Sequence, residues 1–379
     1  MSLFNLAATA AFGLESIVAD ELRRLGVENI SIENGKVNFT GDYGTIIDAN
    51  LWLRCADRVF IQLAVFRASD WDELFDGTKS VPWENIIPEN GMMHVVGKSV
   101  KSKLHSVPDC QSIVKKAVVE SMKRKYRRDI FPEDGPVYKI EISILNDNAT
   151  LSIDTSGAGL NRRGYRTLQG EAPLRETLAA ALVYLSKWGP GRVLADPFCG
   201  SGTIPIEAAM IGRNIAPGLL RSFASETWNE IPSKMWKNRR EAAREAMSNR
   251  HLEISASDIN KDVFRYSVAN AEKAGVTDCI LFQRKPLLEF SSRKKYGCVI
   301  CNPPYGERLG EKREAALLYR EMGRVFSSLD SWSFFILTAS EEFEKDFGKK
   351  SDKNRKLYNG KIKTRLYQYY GPLPERGGR

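Results

Sequence analysis

Histidine is scarce in this 379-residue chain, where His94, His105 and His251 are the whole supply. They do not cluster with the cysteines (Cys55, Cys110, Cys199, Cys279, Cys298 and Cys301), so no zinc site is expected. Cys298-x-x-Cys301 falls in an apolar run that reads as a strand, where odd spacing sends the two side chains to opposite faces. Plain core thiols in a reducing cytosol are the expectation, rather than a metal or redox pair. Long apolar runs are also missing, since none approaches the ~20 residues of a membrane span. Met1 to Leu14 lacks a basic start and is broken at Asn5, which argues against a signal peptide. The chain has no internal repeats or low-complexity tracts. A cytoplasmic protein without metal or membrane partner is expected.

What is present is ordinary in bulk and pointed in detail. Hydrophobic residues make up 42% and charged residues 27%, and the length suits two or three domains. The net charge of +9 is a weak pointer to a polyanionic partner. Cys298-Val299-Ile300-Cys301 followed by Asn302-Pro303-Pro304-Tyr305 reads as a buried strand ending in a rigid turn. Prolines fix φ and donate no backbone hydrogen bond. The Asn302 amide and the Pro303 carbonyl can then face a planar amine beyond the strand end, with the Tyr305 ring available to stack. A strand merely stiffened by proline is the structural alternative.

Upstream, Val193 to Asp196 reads as a strand, Pro197 to Thr203 as a glycine-rich turn, and Ile204 to Ile211 as a helix. That is the first unit of a doubly wound sheet. No Gly-Lys-Ser/Thr follows, which excludes a Walker A loop. Glu253 to Ala256 is a second strand ending near Asp258, where a ribose hydroxyl pair would be held. A third element, Cys279 to Phe282, precedes the Asn-Pro-Pro-Tyr strand.

An acidic residue before Gly-x-Gly, a strand-end Asp and Asn-Pro-Pro-Tyr occur in the order of S-adenosylmethionine-dependent amino-methyltransferases. The runs Leu151 to Gly157, Arg162-Arg163-Gly164-Tyr165-Arg166 and Ala172 to Ala180 resemble the linker of THUMP-containing methyltransferases. Tyr305-Gly306-Glu307-Arg308-Leu309-Gly310 is similar to the bacterial large-subunit rRNA guanine-N2 methyltransferases. The resemblance implies an α/β chain: a Rossmann-like methyltransferase domain over 158–379, preceded by an α+β region. That region divides into a ferredoxin-like domain over 1–65 and a THUMP RNA-binding domain over 66–157. It further implies S-adenosyl-L-methionine as cofactor, held by Asp196, Phe198, Gly200, Gly202, Thr203, Asp258, Ile259 and Asn302. Catalysis falls to Asn302, Pro303, Pro304 and Tyr305, with ribosomal RNA as partner and a monomer or weak dimer as the assembly.

Substrate contacts are expected from Arg162, Arg163, Tyr165 and Arg166, and from Glu307 and Arg308. An interdomain structural role for the first four is the alternative. Lys123, Arg124, Lys125, Arg127 and Arg128 end a helix expected over Pro108 to Tyr126. They suit RNA phosphate, or simply complement the helix dipole. Trp228 and Trp236, in a helical insertion over 213–250, are expected in the core. One departure stands out: Phe282-Gln283-Arg284-Lys285-Pro286-Leu287 lacks the acidic residue that the family places after the third strand. Competing readings are a tRNA guanine-N2 enzyme, an adenine-N6 enzyme on nucleic acid, and a non-catalytic RNA-binding assembly factor.

Overall fold

A computed structural model describes residues 3–167, 173–306 and 309–372 of the chain. They form two compact units. The first comprises Met1–Ala10, Val18–Leu160 and Ser222–Arg240; the second comprises Ala11–Ile17, Asn161–Arg221 and Glu241–Arg379.

The first unit carries strands β1 (Phe4–Ala10), β2 (Ser31–Glu33), β3 (Lys36–Gly41), β4 (Ala56–Arg67), β5 (Met92–Val100), β6 (Val137–Leu145) and β7 (Asn148–Asp154). Its helices are α1 (Glu15–Arg24), α2 (Tyr43–Trp52), α3 (Trp71–Lys79) and α4 (Val107–Tyr126). Local chemistry sets the helix starts: Asp42 accepts the Thr45 amide at 3.0 Å and Asp70 the Glu73 amide at 2.8 Å, each filling an orphan N-terminal donor. The strands make one sheet in the order β2-β3-β1-β4-β7-β6-β5, in which only β5 and β6 run parallel. The twelve-residue β4 is the join. Residues Ala56 to Gln62 pair with β1 and residues Phe60 to Arg67 with β7, so the boundary expected at residue 65 falls inside a shared strand.

Ser222–Arg240 was expected within the catalytic domain but belongs to this first unit. Trp228 stacks on Tyr138 of β6 at 5.0 Å and donates its Nε1 hydrogen to the Val137 carbonyl at 3.1 Å. Phe223 stacks on Trp236, and both tryptophans are buried. Their expected core role is what the structure presents.

The second unit contains α5 (Glu176–Leu185), β8 (Leu194–Asp196), α6 (Thr203–Gly212), the end of α7 (Ser233–Glu245), β9 (Ile254–Asp258), α8 (Lys261–Ala274) and β10 (Ile280–Arg284). It continues with β11 (Cys298–Cys301), α9 (Leu309–Ser327), β12 (Ser333–Thr338), α10 (Phe343–Phe347), β13 (Lys353–Asn359) and β14 (Ile362–Tyr369). The strand order is β10-β9-β8-β11-β12-β14-β13. All neighbours are parallel except where β14 runs against β12 and β13. The chain winds outward from β8 to β10, then returns to place β11 on the other side of β8. The crevice outside the carboxyl ends of β8 and β11 is therefore a topological switch point, where doubly wound sheets bind ligands.

An aromatic cluster of Tyr319, Phe326, Trp332, Phe343 and Phe347 closes one face of this sheet. At Gly323 of α9, a Cβ would sit 2.1 Å from the Phe347 carbonyl oxygen of α10. Alanine is the better helix former by about 1 kcal/mol. Here the clash is with backbone, which cannot rotate aside, so overpacking by about 1–3 kcal/mol prevails. Gly323→Ala should accordingly lower the melting temperature; an unchanged or raised value in thermal unfolding would refute this packing.

Candidate active site

Three strand ends build the site. β8 stops at Asp196, whose Oδ1 accepts the Phe198 amide at 3.1 Å and so turns the chain back. The turn is then tied to β9: Cys199 N–H donates to the Ser257 carbonyl at 3.0 Å, and Gly200 N–H to Asp258 Oδ2 at 3.0 Å. Both Gly200 (φ +52°) and Gly202 (φ +84°) lie in the left-handed region. A Cβ on Gly200 would meet nothing within 4 Å, whereas one on Gly202 would lie 3.0 Å from Ser267 of α8. Gly202 thus serves the packing, and Gly200 faces open space. Asp258 Oδ1 accepts the Asn260 amide at 2.9 Å, while the Asn260 side chain caps α8.

The third strand end is β11. Beyond Cys301, Pro303 is buried and Asn302 and Tyr305 are half-buried. The Tyr305 hydroxyl donates to Asn302 Oδ1. Tyr319 of α9 donates to the Pro304 carbonyl at 2.9 Å. Its oxygen therefore takes the Thr338 hydroxyl proton, also at 2.9 Å. Among the described residues no donor is bonded to the Pro303 carbonyl.

A cavity of about 720 Å³ brings Phe198, Gly200, Asp258 and Ile259 together with Asn302, Pro303, Pro304 and Tyr305. A smaller one of about 150 Å³ joins Asp196 and Thr203 to Phe198, Gly200 and Asn302. The glycine turn and Asn302 share both, and the rest of the rim lines the larger one. Lys285, Pro286, Leu287 and Leu288 line the larger cavity after β10, where the sequence offers no carboxylate. Glu321 of α9 lines it too, as do Asn359 and Ile362 at the turn between β13 and β14. None of these three was picked out from sequence, because each reaches the cavity through tertiary structure. Glu321 follows Leu318 by one helical turn, and that i, i+3 spacing is the faint signal that was there.

The four linker residues divide. Arg162 is exposed, but Arg163 and Tyr165 are 1% and 0% accessible and cannot touch RNA in this fold. The expected substrate contact is thus corrected to an interior role. Arg163 Nε lies 3.3 Å from Glu207 Oε1 and the Tyr165 hydroxyl 3.2 Å from the same oxygen. Arg166 reaches Glu176 at 3.2 Å and donates to Thr203 Oγ1 at 2.6 Å, bracing the start of α6. The cause lies in α5 and α6, two apolar helices that each bury one glutamate and need a cation beside it.

Most of the basic helix end is also engaged. Lys123 pairs with Glu120 at 2.7 Å and Asp129 at 3.1 Å, and Arg128 with Glu89 at 2.7 Å. Arg124 donates to the Lys79 carbonyl at 2.6 Å and Lys125 to that of Glu84 at 2.9 Å, while Arg127 is the exposed left-handed cap of α4. Exposed pairs of this kind contribute little to stability. Glu307 and Arg308 lie outside the described residues.

Burial pushes the Asp196 carboxyl well above the usual carboxylate range, partly opposed by the Phe198 amide and reinforced by Asp258. Burial likewise raises the Cys199 and Cys301 thiols, which makes them poor nucleophiles. Among the described residues no group of three or more His, Cys, Asp or Glu is placed to hold a metal. None of the described helices is long and apolar enough to cross a membrane.

Residues 163–368 match the family described as RMKL-like, methyltransferase domain. The chain belongs to that family. Residues 5–60 match the RlmL ferredoxin-like domain and residues 68–154 the THUMP domain, giving this methyltransferase fold its expected N-terminal companions. The chain is 51% identical to a Bacillus subtilis (strain 168) protein named "Putative RNA methyltransferase YpsC", over 99% of this chain and 98% of that one. It is 34% identical to "Ribosomal RNA large subunit methyltransferase K/L" of Psychromonas ingrahamii over 95% of this chain, which spans only 49% of that relative. Among solved structures, one described as "SMU.472, a putative methyltransferase complexed with SAH" superposes with a TM-score of 0.94 at 46% identity, covering 99% of this chain and 100% of that one. A Listeria monocytogenes protein described as a predicted N6-adenine-specific DNA methylase also gives 0.94, at 51% identity over 98% and 97% of the two chains.

Two measurements check the interior assignments in this RMKL-like chain. Arg163→Met should cost about 3–5 kcal/mol by leaving Glu207 buried without its cation, read as a large fall in the denaturant midpoint. A mild effect would return Arg163 to the surface. Asp196 holds its proton more tightly folded than unfolded, so its contribution to stability declines as pH rises above about 4, toward its raised folded value. Asp196→Asn should flatten that decline in melts from about pH 4 to about pH 7; an unchanged slope would count against it.

Proposed function

We propose that this chain transfers a methyl group from S-adenosyl-L-methionine to the exocyclic N2 of a guanine in large-subunit ribosomal RNA. The observation that carries the reading is one cavity holding both the glycine turn with Asp258 and the Asn302–Tyr305 rim. Its volume suits a small-molecule site, which commonly measures about 300–1,000 Å³.

The residues fit the cofactor. Each Asp258 oxygen takes one backbone amide and keeps lone-pair capacity for a ribose hydroxyl. Gly200 leaves room for close approach, and Ile259, 66% exposed, offers an apolar face to adenine. Pro286, Leu287 and Leu288 supply apolar contact where the family's usual carboxylate is lacking. Asp196, Phe198 and Thr203 complete the cradle, and Gly202, which lines neither cavity, supports it through its packing on α8. When bound, S-adenosyl-L-methionine supplies a methyl on a sulfonium that needs no further activation.

On the substrate side, the lone pair of guanine N2 is delocalised into the ring. Asn302 Oδ1 and the Pro303 carbonyl accept its two N–H groups and favour the pyramidal form. The Tyr305 hydroxyl occupies one Oδ1 lone pair and leaves the other for the amine, fixing the amide's direction. Its ring stacks on a base extruded into the cavity. The proton can leave after the nitrogen becomes cationic, so positioning supplies the rate and no histidine base is needed.

Adenine-N6 transfer would use the same two acceptors, and the DNA-methylase description of one relative keeps that reading in view. Glu321 favours guanine. A carboxylate in the cavity accepts the N1–H that guanine has and adenine lacks. RNA rather than DNA is supported by the THUMP match and by the names of the curated relatives.

The decisive assay is methyl transfer to undermethylated 23S rRNA, with the product nucleoside identified by mass spectrometry. N2-methylguanosine is expected, and N6-methyladenosine or label confined to DNA would sink the proposal. Asn302→Ala should lower turnover by about 100-fold through lost positioning. Asp258→Ala should weaken SAH binding about 10- to 100-fold by calorimetry, the loss of hydrogen bonds to a charged group. Glu321→Gln should erode the preference for guanine; unchanged discrimination removes its role.

A further inference from the structure

We infer that the β13–β14 hairpin is a grip for the phosphodiester backbone of single-stranded nucleic acid at the mouth of the catalytic cavity. This rests on the reading that the cavity takes a nucleic-acid base. From Lys353 to Pro372 the sequence carries Lys353, Arg355, Lys356, Lys361, Lys363 and Arg365 and not one Asp or Glu. The hairpin's turn is part of the cavity wall, through Asn359 and Ile362. Charge of one sign is thereby gathered where a strand threaded to the extruded base must pass.

The register makes the arrangement costly to the fold. Lys356 lies directly opposite Arg365, and Tyr358 directly opposite Lys363. Residues so paired share one face of the sheet, and like charges placed opposite each other destabilise it. Among the described carboxylates, Glu341 and Glu344 stand near these cations, the latter within electrostatic reach of Arg365. Lys363 reaches Glu341 at 3.4 Å with both side chains largely in water, and Arg365 has the neutral Asn354 amide oxygen at 3.3 Å. Lys356 lies over the Tyr358 ring at 5.2 Å. Tyr358 in turn meets Phe12, itself 53% exposed, edge-on at 6.2 Å.

Edge strands often carry lysine to prevent pairing with another chain, and β13 is an edge. That purpose is met by charge of either sign and does not need two cations set face to face. Basic side chains around the exposed Phe12 ring and the half-buried Tyr358 ring do match what single-stranded nucleic acid requires, phosphate neutralised and bases stacked. A local conflict retained without benefit to the fold points to function.

The test compares full-length wild type with Lys356→Glu and with the triple variant Lys356→Ala/Lys363→Ala/Arg365→Ala. The probe is a fluorescent single-stranded RNA oligonucleotide, titrated by anisotropy over a range of potassium chloride. Three lost phosphate contacts should reduce the slope of log affinity against log salt by about 2. Lys356→Glu converts a repulsive cross-strand pair into an attractive one, so it should raise the melting temperature while weakening RNA binding. A purely structural role cannot give those opposite signs. SAH binding by calorimetry, expected unchanged in all variants, reports that the fold and the cofactor region are intact. Equal salt slopes in wild type and triple variant overturn the grip while leaving the proposed function standing. Self-association of the triple variant with an unchanged slope means edge protection and also overturns it. Wild type that binds SAH but not RNA overturns both readings together.

Discussion

The hydrogen bond from the Gly200 amide to the Asp258 carboxylate is the tie on which the site depends. It joins the turn after β8 to the end of β9, so two strand ends that share no sequence proximity become one surface. The side chains around it act in the same sense. Asn270 of α8 donates to the Ser201 carbonyl at 3.0 Å, and Arg166 holds the Thr203 hydroxyl. With the turn pinned from β9, α8 and the linker, its remaining amides and the open space above Gly200 form a rigid cradle rather than a loop that must be ordered on binding. Reactions that rely on placement gain most from such rigidity.

The parallel strands carry the second half of that arrangement. Because β8 and β11 are neighbours at the point where strand order reverses, Asn302 arrives beside the glycine turn without any long loop. The acceptors of the Asn-Pro-Pro-Tyr rim are fixed from behind. Tyr319 holds the Pro304 carbonyl and Tyr305 holds the Asn302 side chain. An aromatic core under α9 and α10 in turn fixes Tyr319, which stacks edge-on against Phe343 at 5.0 Å.

Sequence reasoning succeeded where the signal was local. α4 begins one residue before the expected Pro108 and ends at the expected Tyr126, and the glycine turn, the strand-end Asp258 and the proline rim lie where their residue types require. It failed where the deciding partner was distant. Nothing around Arg163 or Tyr165 announces that Glu207, some forty residues on, waits inside an apolar helix. β2 has only three residues, all exposed, and so carries no hydrophobic alternation to read. β13 was missed because its cations mask the period-two pattern that a strand would show. Glu321 and Asn359 became visible as cavity residues only once α9 and the hairpin were in place.

The way the two units share the chain has a consequence for their history. The polypeptide passes from one to the other after residues 10, 17, 160, 221 and 240. No single cut can release either as a cassette. Removing the leading portion would strip Trp228 of the Tyr138 ring it lies against and leave the segment Ser222–Arg240 without its partners. A chain threaded in this way cannot be parted between its two units by any one break, so gene rearrangement can append to it more easily than it can divide it.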